Sequence, residues 1–206
     1  GSAPAAKHFH GGKAGQNGIW SALLARREYF GSGTALEGEW GFLRAFAKGT
    51  DQDGLALTDR LGSEWYILRT ISKPFACCLS SHAGIHGLLD IVERHDVKPE
   101  QVASVEAFVN PASYYMIRNP DPRDELQAKF SLPFCLALAL VTRDVSYRAF
   151  DEKTLWDAGV RAVMKRVTLE ARDEIGRIET LVRVRTHGGA VLEHMGKRAS
   201  LNAEQA

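Results

Sequence analysis

The sequence predicts an α+β protein in which a helical segment comes first and a mostly antiparallel sheet of about five strands follows. Two patterns carry this prediction. Residues 7–49 place apolar side chains at helical spacing, whereas several segments after residue 64 alternate apolar and polar side chains as strands do. Apolar helical segments separate those strands, which is typical of a sheet with helices packed on one face.

The N-terminal segment contains two predicted helices. Ile19 and Leu23 share one helical face, and Phe42 and Phe46 lie four residues apart in the second helix. A polar run follows them and predicts a turn, so we place a domain boundary between residues 50 and 63.

Five later segments are predicted as strands, because β-branched, aromatic or alternating apolar residues dominate them. They are Trp65–Ile71, Val102–Val109, Val167–Leu169, Ile178–Val184 and Ala190–Leu192. The last two flank a pair of glycines, and a glycine pair between alternating segments is typical of a β-hairpin.

Three segments between these strands are predicted as helices. They are residues 77–94, Glu125–Leu140 and Glu152–Met164. The first is expected to bury one stripe of side chains, formed by Leu79, Ala83, Leu88, Leu89 and Val92.

Composition excludes several classes of function. The 206 residues carry 26 basic and 25 acidic side chains, so no overall field attracts nucleic acid. No apolar run approaches the ~20 residues that span a bilayer, so no membrane association is expected. The three cysteines suggest neither a disulfide framework nor a spaced metal cluster, which suits a reducing cytoplasm.

The segment Lys73–His82 is the strongest functional lead. Pro74 favours extended backbone before it, and the predicted helix begins near Cys77, so Lys73 is expected close to a helix N-terminus. Free amide groups and the helix dipole favour anions there. A mobile ammonium group together with an imidazole therefore predicts a site that binds carboxylates and transfers protons.

Cys78, His82 and His86 lie at intervals of four residues on one helical face. This spacing could bind zinc, but it is a weak metal signal because no fourth ligand lies nearby. Cys78 is interpreted either as a reactive thiol or as a small core side chain. His82 is interpreted either as an acid–base group or as a histidine satisfied by helix packing.

Four blocks of sequence, in the same order along the chain, resemble signatures of the MmgE/PrpD family. They are Lys7–Ala14 with Asn17–Ile19 and Leu23–Ala25, Glu37-Gly38 with Gly41-Phe42, Lys73–Cys78 with His82, and Ala128–Phe134. The family contains 2-methylcitrate dehydratases, cis-aconitate decarboxylases and iminodisuccinate epimerases. The resemblance implies activity on small polycarboxylates, usually as a homodimer, with no metal and no cofactor.

The resemblance also implies a domain organisation. The family pairs an all-helical domain with an α+β lid domain, and its active site lies between them. Residues 1–55 would be a remnant of the helical domain, residues 64–195 a lid-type domain and residues 196–206 a polar tail. Because family members are much longer, the chain resembles their C-terminal half, and a truncated form is expected. A chain that supplies the N-terminal half is then the alternative to a homodimer.

The resemblance carries roles over to individual residues. Lys73 and His82 are expected to be catalytic, and Lys7, Cys78 and Tyr115 are expected to bind substrate. For Tyr115 a packed aromatic side chain is the alternative interpretation.

The family also differs from this chain at one position. Glu28 stands where the family commonly has a glycine that ends a helix, so the turn there is expected to be rebuilt.

The function expected first is dehydration of 2-methylcitrate, with proton abstraction beside a carboxylate as its opening step. Decarboxylation of cis-aconitate and epimerisation of iminodisuccinate are the alternatives within the family. An alternative of another class is a non-catalytic half-protein that folds or dimerises without turnover.

Overall fold

The computed structural model describes residues 6–46, 59–70 and 72–197. These residues divide into two compact units, the first ending at Thr70 and the second beginning after Ile71. No helix in the described ranges is long and apolar enough to cross a membrane.

The N-terminal unit is helical. Helix α1 spans Ala6–Arg26 and helix α2 spans Phe42–Phe46, and turns occupy most of the chain between them. The two predicted helices are therefore confirmed, although the helical segment is less continuous than the apolar spacing suggests.

The turn after α1 has the geometry of a glycine-terminated helix, although a glutamate occupies the key position. Glu28 lies in the left-handed region with φ 61°. Its amide donates to Ala25 O, and the amide of Tyr29 donates to Leu24 O, which is the Schellman pattern. The expectation of a rebuilt turn is therefore wrong, because the backbone is retained and Glu28 accepts an unfavourable conformation.

The predicted strand Trp65–Ile71 is also wrong. Residues Tyr66–Arg69 form a single 3-10 turn, and Ile71 lies outside the described residues. Ile67 and Leu68 are exposed to solvent. Strand propensity measures how well a side chain fits a paired and half-buried surface, and within the described residues no strand pairs with this segment.

The C-terminal unit is built on a sheet that confirms the α+β class. Its strands are β1 (Val102–Val109), β2 (Val167–Ala171), β3 (Glu179–Thr186) and β4 (Val191–Lys197). Their order is β2-β1-β3-β4, with β1 and β2 parallel and the other two pairs antiparallel. The described sheet thus has four strands instead of about five. Strand β4 includes two residues of the predicted polar tail.

Glycine closes the predicted hairpin between β3 and β4. Gly189 has φ +83°, a conformation that residues with a side chain rarely adopt. The amide of Gly189 donates to Thr186 O, and the amide of Thr186 donates to Ala190 O. The hairpin prediction is therefore confirmed.

Six helices of the described residues belong to this unit. They are α3 (His82–His95), α4 (Pro111–Ile117), α5 (Glu125–Ala128), α6 (Leu132–Thr142), α7 (Glu152–Leu155) and α8 (Ala158–Met164). Helix α3 packs on β3 and β4, and α6 packs on α3, α8 and β2. The core lies between these helices and one face of the sheet, where Val105, Ala107, Val182 and Val184 are buried.

Capping residues divide two of the predicted helices. Ser131 Oγ accepts the amide of Phe134, and Pro133 lies in the first turn of α6, so Glu125–Leu140 becomes two helices. Asp157 accepts the amide of Val160 and divides Glu152–Met164 in the same way.

Helix α3 begins later than predicted, and its buried face is wider. A 3-10 turn at Leu79–Ser81 precedes the helix, which starts at His82. Ala83, Leu88 and Val92 are buried as expected, together with two isoleucines that the predicted stripe omitted. Leu79 and Leu89 are only partly buried.

Ion pairs cover the opposite face of the sheet. Glu106 of β1 binds Arg183 Nη1 at 2.8 Å and Arg185 Nε at 3.2 Å. Arg183 also pairs with Glu193 of β4, which lies opposite it in the register. These pairs make one face charged and leave the other to the helices.

Helix α3 crosses strand β4 at very short range. A Cβ at Gly196 would overlap Ala83 O and would lie 2.8 Å from Gly87 N. The backbones touch here because both residues at the crossing, Gly87 and Gly196, lack side chains.

We expect Gly196→Ala to lower the free energy of unfolding by about 2 kcal/mol or more, because no flexible side chain can move away from the new methyl group. Urea unfolding measures the change. The matched control is Gly188→Ala, whose new Cβ would meet Thr186 Oγ1 at 3.8 Å. A Gly196→Ala protein as stable as this control would contradict the close crossing.

We expect Glu28→Gly to raise the free energy of unfolding by about 1 kcal/mol, because a left-handed residue with a side chain costs roughly 1–2 kcal/mol. The helical circular dichroism signal followed in urea tests this. The control is Glu39→Gly, at an exposed turn residue without a positive φ, where no gain is expected. Equal effects of both changes would show that Glu28 is not strained.

Candidate functional site

The segment Lys73–Cys78 bends between Pro74 and Cys77 and lies against two neighbouring segments of the chain. The amide of Ala76 donates to Val145 O at 3.1 Å, and the amide of Cys78 donates to Lys129 O at 2.8 Å. Because α3 begins only at His82, the predicted position of Lys73 at a helix N-terminus is wrong. Pro74 favours extended backbone at Lys73, and the two hydrogen bonds hold the bent segment against its neighbours.

Lys73 makes a defined contact within this segment. Its Nζ donates to Cys77 O at 3.1 Å while the side chain remains exposed. The peptide group between Cys77 and Cys78 therefore binds the Lys73 ammonium through its carbonyl and Lys129 O through its amide. An ammonium group has three donors, so two stay available for a ligand.

The structure adds Cys77 to the candidate site. The pKa of the Cys77 thiol is lowered to about 6, chiefly by hydrogen bonding with Cys135, although burial opposes this change. A hydrogen bond with His82 and the charges of His82 and Lys73 contribute to the same lowering. Burial raises the pKa of the Cys135 thiol in turn. Sequence reasoning assigned both thiols to the core, where they lie, but the effect of these neighbours depends on tertiary contacts.

His82 packs against Phe75, and one of its imidazole nitrogens has no hydrogen-bond partner in the described residues. The residue is 1% exposed, and its Nε2 makes no hydrogen bond within the described residues. The ring centroid of Phe75 lies 5.3 Å from that of His82 and 4.8 Å from that of His86. A buried nitrogen without a partner is costly, which makes His82 a candidate acid–base group.

His86 shares this environment. Its Nε2 is also buried without a partner in the described structure. Burial lowers the pKa of His86, the charge of His82 lowers it further and Asp90 opposes both. No group of three His, Cys, Asp or Glu side chains in the described ranges could hold a metal ion.

Cys78 and Tyr115 lie near the same turn of the chain. Cys78 is partly buried and immediately precedes the 3-10 turn Leu79–Ser81, against which helix α4 packs. Tyr115 of α4 is 65% exposed, and the Arg118 guanidinium lies 5.0 Å from its ring centroid. The substrate-binding roles of both residues remain predictions.

Lys7 belongs to the other unit. It lies in the first turn of α1, but its side chain is outside the described part of the chain. Its predicted contact with substrate is therefore untested.

Sequence reasoning missed Lys129, whose backbone oxygen binds Cys78. Its Nζ lies 4.8 Å from the ring centroid of Tyr147 and 5.7 Å from that of Phe150. Its place inside the block Ala128–Phe134 is the signal that could have drawn attention to it.

These features define an α+β protein whose helix-covered sheet supports a segment with an ammonium, a thiol and an imidazole group. Residues 75–204 match the model of the MmgE/PrpD C-terminal domain, and residues 1–54 match that of the MmgE/PrpD N-terminal domain. The chain therefore belongs to the MmgE/PrpD family. A comparison with curated proteins finds no match. Because the chain matches both domains, the expectation of a truncated form is not borne out.

The thiol of Cys77 provides a pH-dependent test. Its pKa is about 6 in the folded chain against 9.0 for an ordinary thiol, so the folded state loses this proton first. Stability should therefore rise between pH 6 and pH 9, and the ultraviolet absorbance of thiolate should appear near pH 6. Cys77→Ala is expected to remove both changes, whereas Cys78→Ala retains them. An absorbance step near pH 6 that survives in Cys77→Ala would contradict the assignment.

Proposed function

We propose that this chain is a polycarboxylate lyase of the 2-methylcitrate dehydratase type. One observation carries the proposal: the Lys73 ammonium binds Cys77 O, and the His82 imidazole, whose Nε2 has no partner in the described residues, interacts with the Cys77 thiol, so the three residues lie together. An ammonium group binds a carboxylate, and an imidazole moves a proton near neutral pH. Family membership supports the same class of reaction.

The reaction we propose begins with substrate held by Lys73. Its charge stabilises the negative charge that develops on the carboxylate when the neighbouring C–H bond breaks. His82 Nε2 takes that proton and then gives it to the leaving hydroxyl group, which departs as water. The electron pair of the C–H bond becomes the new carbon–carbon double bond. Phe75 must turn aside to admit substrate, because its ring lies against the imidazole.

Further residues belong to the proposal by the family resemblance. Lys7, Cys78 and Tyr115 contact the substrate, and the reaction needs no metal and no cofactor. The free thiols of this chain suit a cytoplasmic location. Residues 1–55 serve as part of the helical domain, and residues 64–195, continued to the end of β4 at Lys197, serve as the lid-type domain.

The exposed apolar side chains of the N-terminal unit favour assembly with another chain. Trp40 is 94% exposed and Phe46 is 73% exposed, and Ile19, Trp20 and Phe42 are exposed as well. Such side chains mark a surface that binds protein. We propose a second copy of this chain as the partner. The same observation favours the second candidate, a non-catalytic protein that assembles without turnover or needs a complementing chain.

The proposal is tested by assaying the purified chain for turnover of 2-methylcitrate, cis-aconitate and iminodisuccinate. We expect dehydration of 2-methylcitrate, and we expect Lys73→Gln to lower kcat/KM by about 100-fold through lost stabilisation of developing charge. The control is Lys165→Gln, at an exposed lysine that caps the C-terminus of α8. Size-exclusion chromatography run in parallel reports the oligomeric state.

Other results of this assay would favour one of the alternative functions. Turnover of cis-aconitate or iminodisuccinate alone would replace the dehydratase with the decarboxylase or the epimerase. A folded, assembled chain that turns over none of the three would establish the non-catalytic candidate. Full activity in Lys73→Gln would refute the role of this lysine.

A further inference from the structure

Lys129 carries a positive charge that no neighbouring carboxylate neutralises. It is partly buried, and no carboxylate of the described residues forms an ion pair with it. Three partly buried arginines of the same unit behave differently. Arg161 pairs with Asp121, Arg172 with Glu170 and Arg183 with Glu106, at 2.8–2.9 Å.

Aromatic rings hold the Lys129 ammonium in place. Its Nζ lies 4.8 Å from the ring centroid of Tyr147 and 5.7 Å from that of Phe150. A cation–π contact orients an ammonium group without cancelling its charge, and it uses none of the N–H donors in an ordinary hydrogen bond. The charge is thus positioned and remains available to an anion.

The backbone links Lys129 to the candidate site. The amide of Cys78 donates to Lys129 O, and the carbonyl on the other side of the same peptide group accepts Lys73 Nζ. Tyr147, which supports the Lys129 ammonium, lies two residues after Val145, whose carbonyl binds Ala76. The ammonium groups of Lys73 and Lys129 therefore extend from segments that are hydrogen-bonded to each other.

We infer that Lys129 is a second carboxylate-binding residue of this site and holds a substrate carboxylate remote from the reacting carbon. The inference rests on the proposed function. We place this carboxylate away from the reacting carbon because the Lys73 ammonium is bound to Cys77 O, whereas the Lys129 ammonium lies against the rings of Tyr147 and Phe150. Lys129 thus contributes to binding of the ground state and the transition state equally.

Calorimetric titration with cis-aconitate tests this inference, in parallel with steady-state kinetics on the substrate that the wild type accepts. We expect Lys129→Gln to weaken binding about tenfold and to raise KM by the same factor, with kcat within about twofold, because uniform binding is lost. Lys129→Arg restores binding to within about threefold because the charge returns. Tyr147→Leu weakens binding about threefold because the ammonium loses its support.

The controls separate this inference from the proposed function. Lys165→Gln removes a charge elsewhere and should bind cis-aconitate as the wild type does. If Lys73→Gln weakens binding and Lys129→Gln does not, the inference is wrong while the proposed function stands. A fall in kcat with unchanged KM in Lys129→Gln would also overturn it. A wild type that neither binds cis-aconitate nor turns over any of the three substrates overturns both.

Discussion

The close crossing of helix α3 over strand β4 is the constraint on which the site depends. The backbone of Gly196 touches Ala83 and Gly87, so α3 packs on β4 at short range with the side of the helix that holds these two residues. His82 and His86 each immediately precede one of those contact residues in the helix. Successive helical residues point about 100° apart, so the same contact that fixes α3 also turns both imidazoles off the sheet. The Phe75 ring packs against them there.

The site also imposes a cost on the core that surrounds it. His82 and His86 each bury an Nε2 atom without a partner inside the described structure. Burial lowers the pKa of His86, and the charge of His82 lowers it further, so His86 resists carrying a charge there. Packing alone would be served better by apolar side chains at both positions. Two buried Nε2 atoms without partners on one face of a helix are therefore better explained by chemistry than by stability.

Most of the fold can be predicted from the sequence, because the spacing of apolar residues and the residues that form turns are local properties. Alternation located β1, β3 and β4, and the glycine pair located their hairpin. Trp65–Ile71 has equally strong strand composition and still forms a 3-10 turn, since pairing depends on a partner that composition does not reveal. Apolar spacing predicts one continuous helix across Ser131 and another across Asp157, but each residue caps the start of a new helix. Serine and aspartate are both common N-cap residues.

The site was less accessible to sequence reasoning than the fold. The block from Lys73 to His82 marks the right segment, but the properties of Cys77 arise from Cys135, which is distant along the chain. The charge of Lys129 matters because of rings that belong to another segment. The properties of Cys77 and Lys129 depend on contacts between distant segments of the chain, which the sequence does not reveal. His82 could be identified because its spacing from Cys78 and His86 lies within one stretch of sequence.

The charges of the site are linked to one another. The positive charge of Lys73 helps to lower the pKa of the Cys77 thiol while its ammonium binds the Cys77 carbonyl. A carboxylate bound to Lys73 would bring a negative charge close to that thiol and raise its pKa again. Carboxylate binding and proton uptake at Cys77 are therefore coupled, so a polycarboxylate bound at Lys73 favours the protonated thiol. On our proposal for Lys129, a second carboxylate binds there, so part of the ligand's charge lies away from the thiol and the coupling is weaker.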